Sequence, residues 1–206
     1  VLAGGILGGI IGPNLASATR DALPAPFAGA YLALVGVALL SLAVLSFIPF
    51  PPLNAPGSAP AQGRPLREIA RQPKFIVAVA ACALGYGVMS LLMSATPIAM
   101  AQCSHPFSAA ALVLEWHVLG MYVPSFFTGT LIKRFGTLPV MVLGLLLNIV
   151  CVVIALNGVD LMHFLGALIT LGVGWNFLFT GSTTLATEAY RPEERTTAQA
   201  AVDFSV

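Results

Sequence analysis

Two ionisable side chains, Glu115 and His117, lie inside an apolar stretch running from about 108 to 132. A charge in such a stretch is costly unless it faces a partner or a wet cavity. Histidine titrates near neutrality, and burial moves a carboxylic acid toward the same range. Either residue could therefore carry a proton or contact a solute. Each could equally make a structural hydrogen bond between helices, and Glu115 could be wetted from the near end of its helix. Two residues apart on a helix is a rotation of about 200°, so the two side chains point to nearly opposite sides. Glu115 shares a stripe with Leu119, Tyr122 and Phe126, and His117 with Met121, Pro124 and Thr128. At most one of the pair can face a central cavity squarely.

Other chemistries find no constellation. His105, His117 and His163 are far apart and share no helix face, so no nucleophile–base pair or ligand cluster forms in sequence. Cys82, Cys103 and Cys151 lack metal-site spacing and read as small packing residues. No Gly-x-x-x-x-Gly-Lys loop is present to hold a nucleotide. No catalytic residue, metal or cofactor is expected, which leaves an intramembrane enzyme as a weak rival. A channel would need a repeated pore ring or filter loop, and none is visible.

The elements that must hold these residues are long and apolar. Charged residues make up 8% of the 206 and hydrophobic ones 58%, against about a quarter charged in soluble domains. Apolar blocks run at 1–18, 26–48, 75–100, 108–132, 138–156 and 161–187. Each is long enough at 1.5 Å per residue to cross a hydrocarbon layer of about 30 Å. Helices satisfy their own backbone in lipid, and the alternation of a barrel strand is missing. The chain is expected to be an all-α, polytopic membrane protein. Numbering the gaps alternately puts Arg64, Arg67, Arg71, Lys74, Lys133, Arg134, Arg191 and Arg195 on one side, and only Arg20, beside Asp21, on the other. The basic side is the cytoplasmic one, with a lipid surface rather than nucleic acid as its neighbour.

The longest gap, 50–73, opens with clustered prolines and is expected to be a cytoplasmic loop between two bundles. One would hold the helices of 1–49, the other four helices of 74–206 plus the start of a fifth. Within the loop, Leu66, Ile69 and Ala70 oppose Arg67, Glu68 and Arg71, the pattern of a short amphipathic helix on the membrane surface. The chain opens within one apolar block and closes as another helix begins near Thr196, and it reads as a fragment. Gly8 and Gly12 lie four apart on one face and favour close helix packing, with Pro13 bending the helix after them. Asn148 reads as a polar tie between helices.

These features together resemble the major facilitator superfamily of secondary transporters. Gly8-x-x-x-Gly12-Pro13-x-x-Ala16-Ser17 resembles its fifth-helix antiporter motif. Gly129-x-x-x-Lys133-Arg134-x-Gly136 resembles the second copy of its cytoplasmic loop motif, with Lys133 where an acid is usual. Arg191-Pro192-Glu193-Glu194-Arg195 resembles the loop between helices ten and eleven. The resemblance numbers the six blocks as helices five to ten and 196–206 as the start of eleven. It implies that blocks three and six line a translocation cavity, which marks Tyr86 between two glycines and Trp175-Asn176 after two more, with Glu115 and His117 nearby. Glu115, His117 and Asp203 are the expected proton-coupling candidates. The motif residues Gly8, Gly12, Pro13, Gly129, Lys133, Arg134, Gly136 and Arg195 are expected to serve conformational change. The function implied is proton-coupled efflux or antiport of a small organic solute, by a monomer in a bacterial inner membrane. Uptake of a vitamin-like or aromatic acid solute is the alternative.

Overall fold

In a computed structural model of the chain, residues 2–49 and 63–205 are described, so residues 50–62 of the expected central loop lie outside the described part. The helices are α1 (Leu2–Thr19), α2 (Ala28–Ser46), a single turn α3 (Leu66–Ile69), α4 (Pro73–Gln102), α5 (Phe107–Tyr122), α6 (Ser125–Phe135), α7 (Thr137–Leu156), α8 (Leu161–Thr187) and α9 (Arg195–Phe204), with a 3-10 turn at Pro192–Glu194. The apolar blocks thus become helices, and no strand interrupts them among the described residues. Five runs are long and apolar enough to span a bilayer: α2, α4, α5 with α6, α7 and α8. α1, with its five glycines, Pro13 and Asn14, is helical throughout but is not one of the five. The protein is a multi-pass membrane protein with an all-helical bundle fold.

The chain divides into two compact units, Ile11–Gln62 and Val1–Ile10 with Gly63–Val206. In the smaller unit the 20–27 turn is tightly built. Arg20 pairs with Asp21 at 3.0 Å, as their adjacency implied, and its guanidinium lies over the Phe27 ring. Gly29 is needed here because a Cβ would run into the Thr19 carbonyl. The rest of α2 exposes its leucines and valines, a surface suited to lipid and not to water.

In the larger unit α8 is the central element, with α4, α5 and α7 packed around it. Lipid offers no hydrophobic force between helices, so close backbone approach must supply the attraction. Glycines make it possible at two crossings. Gly120 of α5 meets Gly172 of α8, where a Cβ on either would strike the other helix's backbone. Gly144 of α7 meets Gly174 of α8 in the same way, beside the Asn148 amide oxygen. Asn148 is therefore at a helix crossing, though its Oδ1 finds no hydrogen-bond donor among the described residues. Two apolar clusters flank these crossings. Phe75, Cys82, Met141, Leu178 and Leu185 mark the inner one, joined by Ile69 from α3, and Met100, Val113, Cys151 and Leu171 the outer one. Ile69 is fully buried while Leu66 and Ala70 are exposed. α3 is thus pinned into the bundle by Ile69.

The loops gather at the two ends of this unit in the grouping that the basic residues imply, and the end carrying most basic residues is termed the inner one. At one end His105 Nε2 donates to the Val159 carbonyl at 2.8 Å, joining the two short loops expected outside. At the other, residues 63–74 bind the 188–195 segment through Lys74–Glu188 at 2.9 Å and Gln72 to the Ala189 carbonyl at 2.8 Å.

Candidate solute site between three helices

The inner half of the larger unit contains a cavity of about 220 Å³ between α4, α8 and α9. Cys82 comes from α4, Phe179 and Thr183 from α8, and Gln199, Val202 and Asp203 from α9. Phe179 and Thr183 share a face of α8 because they are four apart. α9 is amphipathic: Ala198 and Val202 are buried in the core, which turns Gln199 and Asp203 toward the cavity rim. One turn up α8, the Trp175 ring stacks on Phe179 with centroids 4.6 Å apart and planes 16° from parallel. The Trp175 indole N–H is buried without an acceptor among the described residues. The cavity therefore has an aromatic wall, a hydroxyl, a carboxamide and one carboxylate, with no basic side chain in its lining. That combination can stack a planar ring and bond its polar edge. Larger grooves of about 450 and 260 Å³ lie among α4, α7 and α8, and one of about 230 Å³ lies between α5 and α8 beside Pro124, but their linings are mostly apolar and offer little to orient a solute.

The expected site residues do not all converge here. Trp175 and Asp203 belong to this neighbourhood, one through Phe179 and one directly. Tyr86 lies on α4 with about a third of its surface exposed. Its neighbour Gly85 is where α4 touches Leu178 of α8. Glu115 is partly buried on α5. His117 is fully buried, and its Nδ1 lies 2.8 Å from the Leu168 carbonyl. A carbonyl can only accept, so Nδ1 carries the proton and Nε2 keeps a lone pair with no donor among the described residues. His117 ties α5 to α8 in this structure. Asn176, expected to touch solute, is 2% exposed and has its carbonyl and both amide hydrogens engaged with α5 and α6. The direction of its side chain, set by the rotation of α8, was beyond reach of a reading by helix alone.

Among the motif residues, Gly136 (φ +91°) sits between α6 and α7 in a backbone region that favours glycine. Lys133 and Arg134 are exposed at the end of α6, Arg134 lying over the Phe135 ring. Gly129 has open space around it. A Cβ at Gly8 or Gly12 would likewise meet nothing within 4 Å among the described residues. The close packing of α1 on α5 uses Gly5 and Gly9 instead, against Tyr122 and Val118. Pro13 is carried within α1. Arg195 is exposed and opens α9.

The ion pair that matters at the inner end is one the sequence did not reveal. Glu194 has almost no exposed side chain, and its carboxylate accepts two parallel bonds from the Arg64 guanidinium, both at 2.8 Å. The Arg64 backbone N–H adds a third at 2.8 Å and the Arg191 N–H a fourth at 2.9 Å. The Arg64 guanidinium, then the Arg191 amide, hold the Glu194 carboxyl well below the usual carboxylate range, and Glu194 in turn raises Arg64. The two residues are 130 apart in sequence, so only a Glu three residues after Arg191 hinted at a cap. A depressed acid stabilises the fold above its unfolded value, about 4.5. That contribution is lost as pH falls from there toward its folded value. Thermal unfolding of the full-length protein should therefore show Glu194→Gln lowering the melting temperature at pH 7 and by less near pH 3. An equal loss at both pH values would show that the charge is not what holds the segment.

The chain belongs to the major facilitator superfamily: the model of that family matches residues 1–206. Among curated relatives, it is 47% identical over 206 residues to the riboflavin transporter RfnT of Brucella anthropi, an alignment covering 99% of this chain and 52% of that protein. It is 29% identical over 214 residues to the uncharacterized MFS-type transporter YddS of Bacillus subtilis, covering 96% and 49%. A second Bacillus subtilis protein, the uncharacterized MFS-type transporter YdeG, is 33% identical over 121 residues, covering 58% and 28%. The chain thus spans about half the length of the first two relatives. No solved structure matches it.

Proposed function

We propose that the whole protein carries riboflavin, or a solute of the same build, across the bacterial inner membrane by alternating access, acting as a monomer. The observation that carries this reading is the Trp175–Phe179 stack beside Thr183, Gln199 and Asp203. Riboflavin joins a flat tricyclic ring to a neutral polyol chain, so an aromatic wall and a polar edge are the two surfaces it needs. The name of the 47% identical relative supports the same solute. Uptake is the direction we assign, because a cell gains a cofactor precursor by it. The glycine–proline pattern at Gly8, Gly12 and Pro13 favours the rival reading, efflux or antiport. Glu115, His117 and Asp203 are the proposed proton carriers; in His117 the Nδ1–H is held by a backbone carbonyl, so Nε2 is the atom that would take the proton.

Labelled riboflavin and full-length protein in right-side-out and everted vesicles test this. Saturable accumulation in right-side-out vesicles, competed by unlabelled riboflavin and collapsed by a protonophore, is expected. Accumulation in everted vesicles alone would assign efflux. The absence of riboflavin movement in both would overturn the solute.

A further inference from the structure

The run from Phe107 to Phe135 is one bilayer-length segment broken between Tyr122 and Ser125. Pro124 has no N–H, so the Gly120 carbonyl loses its usual partner, and a helix end leaves further carbonyls open. In lipid each such carbonyl needs another donor. Asn176 of α8 supplies one: its Nδ2 donates to the Met121 carbonyl at 2.6 Å, on the α5 side of the break. The second Nδ2 hydrogen goes to Ser125 Oγ, on the α6 side. Its Oδ1 accepts from Thr128 Oγ1 at 2.7 Å, a hydroxyl that also lies 2.7 Å from the Pro124 carbonyl. Asn176 and Thr128 are buried at 2% and 0% exposure. Both amide hydrogens and the carbonyl oxygen of one side chain thus engage the two halves of a broken helix.

The same stretch of α8 carries the aromatic wall. Asn176 lies three residues before Phe179 and seven before Thr183, facing α5 and α6 while those two face α4 and α9. Beyond the break, α6 leads directly to the basic cytoplasmic turn at Lys133, Arg134 and Gly136.

We infer that the α5–α6 break is a hinge about which α6 swings, and that Asn176 is the positioning residue that sets α6 against α8. The bonds to Ser125 and Thr128 hold α6 in one arrangement, and they must break or re-form for α6 to move. The Met121 bond keeps the α5 end anchored while that happens. Movement at the cytoplasmic turn is thereby tied to the α8 segment that presents Phe179.

Spin labels at Lys133→Cys and Thr187→Cys, both exposed at the inner end, report the α6–α8 separation in full-length protein carrying Cys103→Ser. With Asn176 present, a single distance population is expected. Asn176→Leu should lose that single population and gain a second. Ser125→Ala with Thr128→Val, which spares α8 and the Met121 bond, should do the same and provides the readout if Asn176→Leu does not fold. Adding Pro124→Ala restores the missing N–H and a continuous helix, so it should return either variant to one population. An unchanged distribution in the Ser125/Thr128 variant would overturn the hinge. So would a broadening that Pro124→Ala leaves in place, since that is general loosening. The readout needs no solute, so it stands or falls separately from the riboflavin assignment.

Discussion

Gly172→Leu is expected to leave no folded bundle to purify, although it replaces one residue in the middle of an apolar helix. A Cβ at Gly172 would drive into the His117 carbonyl oxygen and lie 3.0 Å from both the Gly120 carbonyl carbon and the Met121 nitrogen. All three are backbone atoms and cannot rotate aside. A leucine adds three further carbons in the same direction, so α5 must separate from α8. That separation also breaks the His117–Leu168 bond and pulls Asn176 from Met121. Overpacking alone costs about 1–3 kcal/mol and sometimes more, a large share of a typical folding free energy of about 5–15 kcal/mol. Gly87→Ala is the control, since nothing among the described residues lies within 4 Å of a Cβ there. An alanine in a helix interior is then favourable by roughly 0.5–1 kcal/mol. Size-exclusion profiles and melting curves of the full-length protein in detergent decide the matter. A monodisperse Gly172→Leu protein melting with the wild type would mean that the α5–α8 contact is not needed for folding.

The second large effect concerns solute recognition, under the proposed function. Phe179→Ala removes one face of the stack with Trp175 and the aromatic wall of the cavity. Stacking of a flat heterocycle on an aromatic side chain is worth about 1–3 kcal/mol, so riboflavin affinity should fall roughly 5- to 150-fold. Asp203→Asn should act differently. Among the described residues the cavity lining carries one carboxylate and no basic side chain, so a phosphorylated flavin should be rejected by like charge. Two unit charges about 4 Å apart interact by about 1–4 kcal/mol in surroundings of high to intermediate polarity. Asp203→Asn should therefore narrow the preference for riboflavin over its phosphate ester by roughly fivefold or more. Quenching of Trp175 fluorescence by each flavin gives both affinities. An unchanged riboflavin affinity in Phe179→Ala would remove this cavity from consideration. An unchanged preference in Asp203→Asn would place the discriminating charge elsewhere.

Much of the architecture was legible because lipid imposes simple rules. A helix in hydrocarbon announces itself by length and apolarity, and basic residues avoid the outer side, so spans and sidedness follow from counting. Family membership was legible from Gly8 to Pro13, Gly129 to Gly136 and Arg191 to Arg195, three short patterns in the right order. The candidate site was legible only in part. Trp175 and Asp203 could be nominated from their helices; Asp203 lines the cavity, while Trp175 stands behind its wall, stacked on Phe179. Asn176, next to Trp175, could not be separated from it by sequence. The 100° between consecutive residues turns one toward the aromatic stack and the other into the α5–α6 break.

The sequence by itself determined what lies in lipid, which ends are basic, and where the chain turns at Gly136. Those outcomes depend on each residue's own solvation and backbone freedom. The break at Pro124 emerged only in the structure, since Pro13 and Pro97 sit inside unbroken helices. Tertiary structure alone decided which glycines meet, which polar groups are satisfied, and which charge is buried. Gly8 and Gly12 carry the motif, yet Gly5 and Gly9 make the contact with α5. Glu194 is one acid among eight until Arg64, 130 residues away, closes on it. Such pairings depend on helix rotation and on chain segments brought together from afar, and local pattern carries neither.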